Sequence, residues 1–261
     1  MKLIRLFGHY VKLNLQSAME YRAAFLTQVF GMILNNSAFI IFWHVLFEAV
    51  GDDIAGWDFT AVMFLWSITA FGFGLASVFL GNARFLSQII YTGELDVYLL
   101  QPKPVLPNVI WARSTISGWG DTFYGLLLFG LTQPLSTYGV AMFLGFGIAL
   151  ALVYTAMRVI YHSLTFYLGN AEEFATTATE LMILFSIYPG GVFDGPTMWI
   201  LHSAIPAGLV AFIPAQLFAS FDPTLLLAVL AADAFIIAVA VFVFSRGLRR
   251  YESGNRIGAR L

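Results

Sequence analysis

The stretch that decides the fold is residues 224–250, which read TLLLAVLAADAFIIAVAVFVFSRGLRR. Its first part, 224–245, is apolar except for Asp233 and is long enough to cross a bilayer as one helix, which takes about 20 residues. A cluster of arginines that begins at Arg246 follows at once. Because basic residues collect at the cytoplasmic ends of membrane spans, this stretch predicts a transmembrane helix that ends inside the cell.

The composition of the whole chain is that of an integral membrane protein. Of the 261 residues, 59% are hydrophobic and only 11% are charged, and the mean hydropathy is +0.81. Soluble domains carry about 25% charged residues, so a water-soluble fold is excluded. The length allows about six or seven spans with short connectors. We therefore expect a single all-α membrane domain over residues 1–261, without disulfides because cysteine is absent.

Apolar stretches place six spans along the chain, with boundaries fixed to within about 2–4 residues. An amphipathic helix over residues 2–20 precedes them, because Lys2, Arg5 and His9 begin a polar stripe that recurs every three or four positions. We expect this helix to lie in the inner membrane interface. The predicted spans are 23–49, 59–82, 108–132, 140–168, 173–188 and 224–245.

Basic residues are confined to one side of this arrangement. The connectors 51–58 and 133–139 and the stretch 189–222 contain no Lys or Arg, so all 13 basic residues lie elsewhere. By the positive-inside rule, these three regions face outward. Both termini are then predicted to be cytoplasmic.

The stretch 189–222 has an alternative interpretation as a seventh span, since residues 196–221 are largely apolar. Pro206 and Pro214 divide it into pieces that are too short to cross a bilayer. A seventh crossing would also move the C-terminal arginines to the outside, against the charge bias. We therefore expect a re-entrant or interfacial helical hairpin on the outer face, between spans five and six.

The larger cytoplasmic connector, residues 84–107, reads RFLSQIIYTGELDVYLLQPKPVLP. Gly93 can begin and Pro102 must end a short helix within it. Such a helix would fit a groove on a soluble partner, and it would equally fit an interfacial loop that packs only against its own spans. Its apolar face is formed by three residues at positions i, i+3 and i+4: Leu95, Tyr98 and Leu99.

Part of this connector and of the next span resembles the ATP-binding-cassette (ABC) type-2 permeases. The resemblance rests on GELD at 93–96, LLQPKP at 99–104, Arg113 and the Gly120-Asp121 pair. More narrowly, the chain is similar to a bacterial subfamily of small exporter permeases encoded separately from their ATPase. The order of an interfacial helix, six spans and an outer hairpin is also typical of that family. The resemblance implies a multi-pass protein of the bacterial plasma (inner) membrane.

In such permeases the segment between spans two and three is the coupling helix, which docks on the nucleotide-binding subunit. The resemblance assigns that role here to residues 88–100. It further implies two permease chains, identical or related, with alternating access at the dimer interface and an amphipathic or lipid-like substrate. The positions expected to contact the ATPase are Gly93, Glu94, Leu95, Asp96, Tyr98 and Leu99.

No segment of the chain matches G-x-x-x-x-G-K-[ST], the loop that cradles nucleotide phosphates. We therefore expect no enzymatic activity in this chain, with ATP and Mg²⁺ bound by the partner ATPase. The four histidines form no i, i+4 metal pair and no H-E-x-x-H motif, so no cofactor is expected. A nucleic-acid role would require a folded soluble domain, for which the sequence has no candidate.

Five charged residues are predicted to lie within the spans, where charge is costly. Arg113, Arg158 and Glu180 fall at similar depth near the inner ends, either as an ion cluster or as separate side chains, the arginines snorkelling to the interface. Asp121 and Asp233 fall nearer the midplane. There a carboxylate lines a cavity or a dimer interface, or has a hydrogen-bonded structural role.

An energy-independent membrane scaffold or a secondary carrier is the alternative function. Secondary carriers are typically built from inverted repeats with matched broken helices in both halves. The sequence has one broken region, at 189–222, and no counterpart near 51–58. This difference favours the exporter permease.

Overall fold

The chain folds as a bundle of helices. A computed structural model describes residues 2–51 and 53–252, and regular structure within them is helical apart from an isolated bridge between Ile54 and Trp57. The all-α prediction is confirmed. The helices are α1 (Lys2–Glu20), α2 (Arg22–Val50), α3 (Phe59–Phe79), α4 (Leu86–Tyr91), α5 (Leu95–Leu99), α6 (Val105–Ile110), α7 (Gly118–Thr132), α8 (Thr137–Ser163), α9 (Thr165–Leu168), α10 (Glu172–Ser186), α11 (Gly195–Leu201), α12 (Ile213–Ala219) and α13 (Pro223–Leu248).

Four helical stretches in the described chain are long and apolar enough to cross a membrane. They are α2, α3, α8 continued by α9, and α13, and each boundary falls at most three residues from the predicted one. Their lengths run from 21 to 32 residues, which at about 1.5 Å per residue matches or exceeds the roughly 30 Å hydrocarbon core. These helices confirm the membrane-protein fold.

The two other predicted spans correspond to shorter helices. Helices α7 and α10 have 15 residues each and are therefore about 22 Å long. The prediction 173–188 agrees with α10 to within two residues. Neither helix alone reaches across the roughly 30 Å of a bilayer's hydrocarbon core.

The predicted span 108–132 is wrong in its first third. Helices α6 and α7 are separated by residues 111–117, which are not helical. Within this break the Thr115 amide donates to the Ser77 carbonyl, at the end of α3, with an N···O distance of 2.9 Å. A backbone donor that a continuous helix would pair internally is thus paired with a neighbouring helix. Arg113 lies in this non-helical break and not within a helix.

Helix α3 is the centre of the bundle and packs against both α7 and α8. A small-residue stripe, Gly72, Gly74 and Ala76, predicts close packing there, and this prediction is confirmed. A Cβ on Gly74 would lie 2.4 Å from the Thr122 hydroxyl of α7, and one on Gly72 would lie 2.7 Å from the Gly147 carbonyl of α8. Only glycine allows these helices to approach so closely.

The stretch 189–222 folds as two short helical pieces joined by a turn at 202–207. The first piece is α11. The second combines a π-helical turn with α12 and runs over Gly208–Ala219. Leu201 and Phe212 are buried in the main core with residues of α3, α8 and α10. The stretch 189–222 is therefore a helical hairpin packed into the bundle.

Pro214 does not divide the second piece, contrary to the prediction. It stands in the first turn of α12, directly after the π-helical turn Gly208–Phe212. Proline is tolerated in a first turn because no intrahelical donor is required there. The wider i→i+5 turn before it lets the helical segment continue past the proline.

Helices α2 and α13 lie at the outside of the bundle. Only 17% of the most apolar stretch of each is buried within the described chain. Large apolar side chains such as Phe30 and Ile41 on α2 and Phe235 and Phe242 on α13 are more than half exposed. Exposed apolar faces of this extent are typical of contact with lipid or with another protein chain.

Candidate coupling segment and polar cavity

The predicted coupling helix lies in a segment of two short helices, α4 and α5, joined by a turn at 92–94. Gly93 in this turn has φ of +81°, a left-handed conformation that glycine adopts without strain. Glu94 immediately precedes α5, and Asp96 lies in its first turn. We refer to residues 86–100 as the coupling segment.

The inward side of the coupling segment contains two of the residues that the sequence assigns to the ATPase contact. Leu95 is fully buried, in a core with Leu86, Ile90 and residues of α8 and α13. Tyr98 is half-buried against the same core, and burial raises the pKa of its hydroxyl. Neither side chain is free to fill a groove on a partner. Periodicity identified an apolar face correctly, but this face is turned toward the chain's own core.

The outward side presents a second apolar surface. Val97 is 61% exposed, Leu99 is 42% exposed and Leu100 is 87% exposed. We call these three residues the docking face. Of the predicted contact residues, Leu99 belongs to it, and Glu94 is exposed beside it.

The end of α13 packs against the coupling segment through Tyr251. This side chain belongs to the same core as Leu95, and its hydroxyl lies 3.8 Å from the position of a Cβ on Gly93. Burial and the neighbouring Asp96 carboxylate raise the pKa of Tyr251 to about 12. The phenol is therefore uncharged at neutral pH and suits an apolar contact.

A buried polar network joins the coupling segment to the end of α8. The Ser87 hydroxyl lies 2.8 Å from Nδ1 of His162, and the Thr165 hydroxyl donates to Ser87 over 3.0 Å. The Ala171 amide, just before α10, donates in turn to Thr165. No sequence pattern predicted this network, because Ser87 and His162 are 75 positions apart. Both side chains are buried, and His162 also lines a cavity between α3, α8 and α10.

Helix α1 is tied to the chain just after the coupling segment. The Tyr10 hydroxyl donates to the Asn108 side chain, whose amide nitrogen donates to Gln101 over 3.0 Å. Asn14 donates to the Trp111 carbonyl over 3.2 Å. The predicted amphipathic helix is thus present, and its inner face contacts α6 and the break that follows.

A polar cavity of about 690 Å³ lies between α3, α8 and the length of α10, beside the turn that precedes α4. We call it the polar cavity. Its size is in the range of small-molecule sites, about 300–1,000 Å³. The polar side chains that line it are Arg84, Tyr154, Arg158, His162, Glu172, Thr176, Thr177, Thr179 and Glu180.

The predicted cluster of Arg113, Arg158 and Glu180 forms only in part. Arg158 and Glu180 line the same cavity, but over the described ranges the one ion pair within 4.0 Å is the pair His44–Glu48. Arg113 is outside the cavity, with its guanidinium 5.7 Å from the ring of Phe85. The break at 111–117 places Arg113 at this position. A continuous helix would place it elsewhere.

Asp121 is buried between α7 and α2. It is 3% exposed, and its Oδ1 accepts a hydrogen bond of 2.8 Å from the Asn36 side chain. The Tyr124 hydroxyl donates to the Asn36 carbonyl from one turn further along α7. Asp121 therefore links α2 and α7. This is a hydrogen-bonded structural role and not a position in the wall of a cavity.

Asp233 lines a small apolar cavity. The cavity has a volume of about 220 Å³ and lies between α8, α13 and the outer hairpin, with Phe146, Val210 and Leu230 among its lining residues. Asp233 is 6% exposed, and no hydrogen-bond partner for its Oδ1 occurs in the part of the chain that the structure describes. It is the one ionisable residue among the described residues that line this cavity.

Four long apolar helices and a hairpin packed between them are the features of a multi-pass membrane protein. The sequence model described as "ABC-2 family transporter protein" matches residues 33–255, most of the chain. The chain belongs to this family. No curated protein and no solved structure matches it.

Membership of the family defines the general activity. The chain is a multi-pass membrane permease of an ABC transporter, a class that generally works with an ATPase subunit. The resemblance drawn from GELD and LLQPKP is therefore confirmed.

Proposed function

We propose that this chain is the permease subunit of an ABC exporter of the bacterial inner membrane. Two permease chains, identical or related, move an amphipathic or lipid-like substrate by alternating access at their interface. A separate subunit binds Mg²⁺ and ATP and hydrolyses the nucleotide. Both termini of the permease are cytoplasmic.

The proposed topology has six spans and a re-entrant outer hairpin. The four long helices supply four spans, and α7 and α10 supply the other two. Each short helix is extended by non-helical chain or a short helix, at 111–117 before α7 and at 187–194 after α10. Irregular backbone at membrane depth is tolerated where protein covers it, and the packing of α11 and α12 into the main core supports this reading.

One observation carries the proposed coupling. The docking face is exposed on the same short segment whose opposite side is fixed to the core through Leu95 and to α8 through Ser87. A segment of this kind transmits a push from a soluble subunit into the bundle. An exposed apolar patch on this segment also fits a protein partner better than water.

The second permease chain is supported by the bundle's outer surface. Helices α2 and α13 leave wide apolar faces uncovered. In a dimer, part of this surface would be buried between two chains and the rest would face lipid. The proposal places the transport pathway at that interface.

Purification of the native complex from membranes tests the proposed function. A tagged full-length chain, extracted in mild detergent, should carry with it a nucleotide-binding ATPase and a second permease chain. Mass spectrometry identifies both. Recovery of an intact assembly without any ATPase would contradict the exporter and would favour the energy-independent scaffold or secondary carrier.

A further inference from the structure

One wall of the polar cavity is a stripe along α10 at four-residue spacing. Glu172, Thr176, Glu180 and Leu184 all line the cavity, with Ile187 beyond them. Residues four apart lie on one face of a helix, so the polar side chains come first and the apolar ones last. The cavity therefore changes from polar to apolar along its length, as the surface of an amphipathic molecule does.

The opposite wall presents a buried guanidinium. Arg158 on α8 is 8% exposed, and its Nη2 donates to the Tyr154 hydroxyl over 2.9 Å. Its guanidinium carbon lies 4.3 Å from the Tyr154 ring centroid and 5.9 Å from that of Phe73. Across residues 2–51 and 53–252, no carboxylate oxygen comes within 4.0 Å of it. A guanidinium carries several N–H donors, so most of those on Arg158 remain for a ligand.

The charges around the cavity are balanced but are not paired with one another. Arg84 and Arg158 contribute two positive charges, and Glu172 and Glu180 contribute two negative ones. Arg158 is buried, and burying an unpaired charge is unfavourable, whereas Arg84 and Glu180 are exposed and Glu172 is partly exposed. Unpaired groups of both signs around one cavity suit a ligand that carries both signs. A phosphate suits the arginines, and an ammonium group suits the carboxylates.

We propose that the polar cavity binds the headgroup of a zwitterionic amino-phospholipid, such as phosphatidylethanolamine. Arg158 and Arg84 hold its phosphate, Glu180 holds its ammonium, and its acyl chains follow the apolar end of α10. This inference rests on the proposed exporter function and names its substrate class.

The position of the cavity suits loading from the inner leaflet. Arg158 is ten residues from the end of the α8–α9 span at Leu168, a distance of about 15 Å along the helix, and Glu172 is the first residue of α10. The Leu168 end of this span is the one predicted to be cytoplasmic. The polar end of the cavity then lies near the headgroups of the inner leaflet and its apolar end points toward the membrane interior.

Lipid binding to the purified full-length chain tests the inference. The chain in detergent is titrated with phosphatidylethanolamine, phosphatidylglycerol and diacylglycerol of the same acyl chains, and with soluble phosphoethanolamine. We expect phosphatidylethanolamine to bind at least about tenfold more tightly than the others, since a charge-assisted hydrogen bond contributes about 1.5–3 kcal/mol and about 1.4 kcal/mol corresponds to tenfold.

Three variants separate recognition from general charge. Glu180→Gln should lose the preference for phosphatidylethanolamine over phosphatidylglycerol, a change of ratio that a merely structural role would not produce. Arg84→Gln, at an exposed position, should weaken both phospholipids. Arg113→Gln is the matched control, because Arg113 contacts the same Phe85 ring from outside the cavity. It should change neither affinity.

Several results would overturn the inference. These are equal binding of the two phospholipids to the unmodified chain, an unchanged ratio in Glu180→Gln, equal losses in Arg84→Gln and Arg113→Gln, or tight binding of diacylglycerol or soluble phosphoethanolamine. The titration needs no ATPase. A failure here therefore leaves the exporter function standing, whereas a failure to recover an ATPase tests that function separately.

Discussion

The Ser87 hydroxyl and Nδ1 of His162 are 2.8 Å apart and are both closed to solvent. This contact joins the coupling segment to α8, whose other residues Tyr154 and Arg158 line the polar cavity. The docking face is thus connected to the cavity wall through one buried hydrogen bond and one helix. Movement of the coupling segment would be transmitted to the cavity along this path.

Loss of the Ser87 hydroxyl should weaken this connection. Ser87→Ala leaves the His162 ring nitrogen and the Thr165 hydroxyl without this partner, and an unsatisfied buried polar group costs about 1–3 kcal/mol. The free energy of unfolding in detergent should fall by this amount. Thr92→Ala is the control, since the Thr92 hydroxyl bonds only the Gln88 carbonyl one turn back. Equal stability of the two variants would contradict the role of Ser87.

Close packing between α3 and α7 predicts that alanine substitutions at two glycines have different effects on stability. Gly74→Ala places a Cβ 2.4 Å from the Thr122 hydroxyl and 2.5 Å from its backbone nitrogen, and overpacking costs about 1–3 kcal/mol. Gly130→Ala meets nothing within 4 Å and should be neutral or slightly stabilising. Unfolding of both variants in detergent measures the difference. A Gly74→Ala protein as stable as Gly130→Ala would show that the helices are further apart.

The hydrogen bond between Asn36 and Asp121 should appear as a coupling energy. We expect Asn36→Ala and Asp121→Ala each to destabilise the chain, and the double variant to cost less than the sum. The interaction energy should be about 1 kcal/mol, the scale found for side-chain hydrogen bonds between membrane helices. Strict additivity in this double-mutant cycle would mean that the two side chains act independently.

Topology can be mapped with single cysteines, because the chain has none of its own. Cysteines in place of Asp53, Tyr138 and Thr197 should react with an impermeant reagent from outside. Cysteines in place of Gln88 and Glu172 should be protected until the membrane is opened. A cysteine at Ser253, which lies outside the described residues, should also be protected. Outside labelling at Ser253 would restore the seventh span.

Sequence patterns predicted the long helices well and the interrupted ones poorly. Helices α2, α3, α8 and α13 are continuous apolar stretches, so length and hydropathy were sufficient. The break at 111–117 depends on a hydrogen bond from Thr115 to Ser77, 38 positions away. The helical segment continues past Pro214 because a π-helical turn precedes it. Both features are set by tertiary contacts and geometry that residue periodicity does not contain.

The period of Leu95 and Tyr98 correctly indicated one apolar face of the coupling segment. That the segment marked by GELD and LLQPKP contacts an ATPase stays a prediction. Which of two apolar faces is buried depends on what packs against it, here α8 and α13. Arg158 and Glu180 were expected to lie near each other, and both line one cavity. Arg84 also lines this cavity, although no sequence pattern indicated a role for the turn in which it lies.

The central claim is that the coupling segment turns Leu95 toward the chain's own core and the docking face toward a partner. A coupling contact through Leu95 would let Leu95→Asp block docking while the fold stays intact. The structure predicts instead that Leu95→Asp destabilises the permease itself, because it places an unpaired charge in the core. Val97→Asp and Leu100→Asp change exposed side chains and should leave the fold unaffected.

The most direct test is retention of the ATPase by purified permease variants, together with ATP turnover in reconstituted membranes. Val97→Asp and Leu100→Asp should each lower ATPase retention and ATP turnover at least about tenfold, because a charge that docking buries without a partner costs several kcal/mol. Val192→Asp, an exposed valine on the predicted outer side, is the matched control and should behave as the unmodified chain. Unchanged ATPase retention and turnover in both Val97→Asp and Leu100→Asp would contradict the account.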